Sequence, residues 1–185
     1  GMQVGDPENG CCEHIYNGLE NLNKHIANMQ HMGQRVIVTL NRFGNDTEEE
    51  IAIVSEHCEK LGIGFAVNEA YMKGSEGCMD LAQLAINEIA AHPSEDITYC
   101  YTDEANVKDK ITAVAKQIYG AKQVVFKKQA LEMLERIAKW NLERYPVCIA
   151  KTQYSLSDDA KRHGVPKDFT FTIRDLVINT GAEMI

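Results

Sequence analysis

The chain has 185 residues, 44% of them hydrophobic and 25% charged, with a formal net charge of −8. That length can bury a core and fits one domain or one domain with an appendage, and the apolar content excludes general disorder. The acidic balance argues against a nucleic-acid partner, and no apolar run approaches the roughly 18 to 20 residues that span a bilayer, which argues against a membrane partner.

The opening GMQVGDPENG is polar, contains no signal peptide, and has a Gly1 before Met2 that reads as a cloning remnant. Residues 1–11 are therefore expected to be disordered and tag-derived. A helical period follows over 12–32, with Ile15, Leu19, Leu22, Ile26 and Met29 on one face and Gly33 as its stop. Arg35–Leu40 reads as a strand and Asn41–Asp46 as a loop. Thr47-Glu48-Glu49-Glu50 has the Thr-x-x-Glu spacing of a capping box and opens a helix to Leu61, with Ile51, Val54, Cys58 and Leu61 along one face.

Phe65–Asn68 is a second strand, KGSEGC (73–78) a glycine-punctuated loop, and Asp80–Ala91 an amphipathic helix stopped at His92-Pro93-Ser94. The second half predicts strands at Ile97–Tyr101, Gln123–Phe126, Val147–Ala150 and Phe169–Ile178, and helices at Asn106–Tyr119 and Lys128–Arg144. Between the last two strands, KTQYSLSDDAKRHGVPKD is long, polar and aperiodic, which marks a functional loop more often than a plain connection. The six cysteines, at 11, 12, 58, 78, 100 and 148, contain no CxxC. They fit neither a zinc pattern nor a disulfide framework, so no metal site is expected and the compartment reads as cytoplasmic.

Alternating helices and strands argue for a parallel sheet, whose ligand crevice lies at the carboxyl ends of its strands. Two such ends each deliver an aromatic ring: Asn41-Arg42-Phe43 after the first strand and Asn68-Glu69-Ala70-Tyr71 after the second. Two rings across a crevice make a slot for a flat heterocycle, with Val67 as apolar floor. The spacing alone favours a plainer reading, with Phe43 stapled against Ile51 and Tyr71 in the core. Asn41 can read a purine or pterin edge, which makes it a nucleotide-binding candidate, or can cap its own turn. KGSEGC lacks the GxxxxGK[ST] pattern of a P-loop and reads better as a helix-entry turn. No catalytic set can be assembled from the sequence.

LNRFGNDTEEE, AVNEAYMKGSEG, QIYGA, PVCIAKTQYSLSDD and VPKDFTFTIRD, with GLENLNKHIANM upstream, together resemble formate–tetrahydrofolate ligase over nearly the whole chain. The resemblance implies a folate enzyme that uses ATP, with magnesium, and tetrahydrofolate as substrates and holds no covalently bound cofactor. It implies a folate ring stacked between Phe43 and Tyr71, over Val67, and so turns the reading of the two rings from core and staple to clamp. Three positions depart from the family pattern: Gly44-Asn45 stands for Pro-Thr, Tyr71 for Trp, and Asn68 for Ser.

No GK[ST] occurs in the chain, so the resemblance implies a C-terminal piece cut at both ends, lacking the ATP and formyl-phosphate site and inactive alone. Its partners would be tetrahydrofolate, the missing N-terminal half and further copies in a homo-oligomer. The expected fold is α/β, a parallel-sheet core with helices on both faces, part of a P-loop-like three-layer architecture, over 12–95. A smaller C-terminal α+β portion would follow over 96–185. Two other functions stay open: a stand-alone folate- or nucleotide-binding module, and a structural or oligomerisation fragment.

Overall fold

The computed structural model describes residues 11–93, 95–150, 156–159, 161–162 and 164–185. The expectation of a disordered, tag-derived terminus over 1–11 falls on residues outside these except at Cys11, which is helical, and the first five residues of KTQYSLSDD also lie outside them. Along the described chain the order is α1 (Cys11–His31), β1 (Ile37–Asn41), α2 (Glu48–Lys60), β2 (Gly64–Asn68) and α3 (Ala70–Lys73). A 3-10 turn (Gly74–Cys78) leads to α4 (Met79–Ala91), α5 (Val107–Gln117), β3 (Gln123–Phe126), α6 (Lys128–Lys139) and β4 (Thr170–Ile173). Two compact units result, one ending at Thr98 and one starting at Tyr99. The class is α/β, built on two small parallel sheets.

In the first unit β1 and β2 pair in parallel, Ile37 opposite Gly64 through Asn41 opposite Asn68, with α2 as the crossover between them. Alternation along the strands turns Val36, Val38, Leu40 and Phe65 toward Ile26 of α1 and Val54 and Cys58 of α2, which form the buried cluster. Gly64 belongs to the other alternation. A Cβ there would lie 3.0 Å from Cδ1 of Leu84, so any side chain at this position would oblige Leu84 of α4 to give by a few tenths of an ångström.

The capping box forms at α2. The Thr47 side chain accepts from the Glu50 backbone N–H, and the Glu50 carboxylate accepts from the Thr47 N–H at 2.8 Å. Gly33 (φ 77°) and Gly62 (φ 66°) supply the left-handed turns after α1 and α2. Met29 and Leu61, expected on buried faces, are 43% and 46% exposed, because each lies at the end of its helix, past the packed turns. KGSEGC is the helix-entry turn that its glycines predict.

The second unit packs β3 parallel to β4, Gln123 opposite Thr170 through Phe126 opposite Ile173. Its core joins Val107, Ile111 and Ala115 of α5 and Ala130 and Ile137 of α6 with Phe169, Phe171 and Ile173. Lys110, with no exposure, donates to the backbone carbonyls of Glu143, Arg144 and Tyr145 at 3.0, 3.1 and 3.3 Å, and its ammonium lies over the Tyr101 ring.

Four expected elements differ. Ile97–Tyr101 forms no ladder; Thr98 N–H donates to Met32 O, which ties the segment to the end of α1 instead. Val147–Ala150 is not a strand either. Two backbone bonds, Cys148 N–H to Ile185 O and Ile185 N–H to Pro146 O, hold it against the last residue. α6 stops at Lys139 rather than Arg144 because Asn141 takes φ 57°. The last strand runs only Thr170–Ile173, the length over which β3 offers partners.

Candidate functional site

Parallel pairing with equal strand ends carries the two ring-bearing loops out of the same carboxyl edge of the β1–β2 sheet. Phe43 follows β1 by two residues and is 58% exposed; Tyr71 follows β2 by three and is 90% exposed. A core place for Tyr71 is thereby excluded. Neither ring stacks on another aromatic side chain among the described residues. Val67 is half-buried on β2, opposite Leu40.

The loops are tied to each other by polar side chains. The Arg42 N–H donates to Asn68 O at 2.9 Å, continuing the ladder one residue past β1. The Ala70 N–H donates to Asn68 Oδ1 at 3.0 Å, and Asn68 Nδ2 donates to Asn41 Oδ1 at 2.9 Å. Phe43 N–H donates to Asp46 Oδ2 at 2.7 Å, which closes the first loop on itself.

Charges bridge the same gap. Arg42 reaches Glu48 on the first turn of α2 at 2.5 Å and Glu69 at 3.9 Å, and Lys73 meets Glu69 at 2.5 Å. The hydrogen bond from Lys73 holds the Glu69 carboxyl below its ordinary range, with Arg42 adding to the effect. The bond to Glu48 pushes the Arg42 guanidinium above its already high value. Behind Glu69, Gly77 O accepts from the Glu69 N–H at 2.8 Å, and a Cβ on Gly77 would sit 2.5 Å from the Glu69 carbonyl carbon. Only glycine permits that contact.

Sequence reasoning singled out Phe43, Tyr71, Val67 and Asn41 but missed Arg42, Glu69 and Gly77 as partners, and noted Asn68 only as a departure. The parallel register is the signal that finds Asn68: two asparagines ending paired strands must meet.

In the second unit, the described part of the long loop opens a cleft of about 290 Å³ beside Ser157, Asp158, Asp159 and Arg162. Its carboxylates have structural partners: Asp158 accepts from the Thr172 N–H of β4 and Asp159 from the Lys161 N–H. Among the described residues no group of three His, Cys, Asp or Glu side chains could hold a metal ion.

A family model described as formate–tetrahydrofolate ligase matches residues 3–185. The chain belongs to the formate–tetrahydrofolate ligase family. Proteins named formate–tetrahydrofolate ligase from Parabacteroides distasonis and Campylobacter concisus are 49% identical over 173 residues and 51% identical over 169. These alignments cover 94% and 91% of this chain but 31% and 30% of the relatives. The ligase of Caldicellulosiruptor saccharolyticus is 48% identical over an alignment of 185, covering 98% of this chain and 33% of its own. The chain therefore spans about a third of the length of the ligases it matches. Every element of the β1–β2 edge lies inside the matched region.

Proposed function

We propose that this chain is the part of a formate–tetrahydrofolate ligase that presents the pterin-stacking loops, with Phe43 and Tyr71 as the two faces of the slot and Val67 beneath. The observation that carries the reading is the pair of exposed rings leaving one carboxyl edge of a parallel sheet. Such edges are where open α/β sheets bind ligands, and an exposed aromatic face is a favourable surface for a flat ring.

In the ligase as a whole, ATP with magnesium, formate and tetrahydrofolate would react to give 10-formyltetrahydrofolate by way of formyl phosphate. The family resemblance supports that assignment. This chain's own residues are assigned the folate contacts and no phosphoryl chemistry, since a phosphate cradle of the GK[ST] kind is absent from the sequence. A P-loop-like three-layer architecture, a cytoplasmic location and a homo-oligomeric assembly belong to the same proposal.

Titration of the chain with tetrahydrofolate, followed by calorimetry and tyrosine fluorescence, tests it. Saturable binding that weakens in Tyr71→Ala supports the reading. Equal binding by wild type and Tyr71→Ala contradicts it.

A further inference from the structure

The polar links between the two ring-bearing loops form a directional chain. A backbone N–H can only donate, so the Ala70 N–H fixes which end of the Asn68 amide is oxygen. Asn68 must then turn its NH2 toward Asn41, and the atom receiving it is Asn41 Oδ1. With its oxygen committed, Asn41 is left with Nδ2 as its outward group, and that NH2 has no protein acceptor among the described residues. Asn41 ends β1 two residues before Phe43 and is exposed. A fixed donor thus stands at the edge where the rings emerge.

We infer that Asn41 is a specificity-determining residue that donates from Nδ2 to an acceptor on the rim of the bound heterocycle, and that Asn68 is the positioning residue that sets its orientation. The inference rests on the slot reading given above. Within the pteridine class that the slot reading supplies, the donor discriminates: a 4-oxo pteridine, whose ring carbonyl accepts, is favoured over a 2,4-diaminopteridine, which offers a donor at the same place. A site that presents one donor rejects a ligand that meets it with another donor.

Two substitutions reverse the polarity without removing the link. Asn41→Asp still accepts from Asn68 but turns an oxygen outward. Asn68→Asp still accepts from the Ala70 N–H, yet now faces Asn41 with an acceptor. Asn41 must then rotate its NH2 inward and its oxygen outward.

The experiment measures dissociation constants of wild type, Asn41→Asp and Asn68→Asp for tetrahydrofolate and for its 4-amino analogue, with a thermal melt of each. Wild type is expected to prefer the 4-oxo ligand by about tenfold, and both variants to reverse that preference at unchanged melting temperature. If Asn41→Asp fails to fold, Asn68→Asp gives the same answer without altering Asn41. Wild-type preference retained in both variants overturns the inference and leaves the slot reading standing. Reversal by Asn41→Asp alone overturns the positioning role of Asn68. If wild type binds neither ligand, the slot reading itself fails and the inference falls with it.

Discussion

Lys110 has three carbonyl partners at the turn after α6 and a ring beneath it, and no water reaches it. Removing the ammonium leaves those carbonyls facing an apolar side chain. Lys110→Met is expected to cost about 3 kcal/mol in chemical denaturation, since hydrogen bonds to a charged group are among the stronger ones and the orphaned acceptors stay buried. At the other unit's ring-bearing edge, Glu69 titrates with a depressed pKa because its charged form is bonded to Lys73. Its contribution to stability is fully present above the ordinary value near 4.5 and is lost as pH falls through the lower folded value. Glu69→Gln should therefore lower the melting temperature slightly at neutral pH, where the ion pair contributes, and flatten the acid limb below about pH 4.5, where wild type loses that contribution; the pair is partly exposed, so the effect is small. No change in that limb would show that the ion pair contributes nothing.

At the scale of elements, α4 is apolar on two sides. Leu84 faces Gly64 of the sheet, whereas Met79, Ile86 and Ile89 are 63%, 60% and 69% exposed. Leu84→Ala is expected to cost about 2 kcal/mol of stability, and Ile86→Lys to stay within about 0.5 kcal/mol, as thermal and urea melts will report. Similar losses at both positions would mean that the outward face is packed. The local signals in the sequence located most elements because they are short-range: the Thr47 box, the Gly33 and Gly62 stops and the glycine-rich turn each act within a few residues. Ile97–Tyr101 and Val147–Ala150 failed for the opposite reason. Both look like strands in composition, but a strand exists only where another offers a ladder, and their neighbours are the end of α1 and the last residue. At the site, the place of the two rings after two apolar runs was legible, but spacing alone favoured a staple at Phe43 and a core place for Tyr71, and only the family resemblance turned that reading toward a clamp. The ties between loops were not, because Arg42 to Glu69 and Asn68 to Asn41 join residues 27 apart in sequence that only the parallel register brings together.

At the scale of the whole molecule, the central claim is that the exposed ring of Phe43 waits for a folate rather than holding the fold together. Its 58% exposure and the absence of a stacked partner among the described residues support this, as does membership of the formate–tetrahydrofolate ligase family. Because the chain spans about a third of its relatives, formate-dependent release of ADP is expected to stay at background for this chain alone. Release above background would show that the phosphoryl chemistry lies here after all. The most direct measurement of the central claim is a paired melt and tetrahydrofolate titration of wild type and Phe43→Ala. The account predicts a nearly unchanged melting temperature with affinity weakened by about 1–3 kcal/mol. A stability loss of about 3–5 kcal/mol, as for a core phenylalanine, with folate affinity unchanged would contradict it.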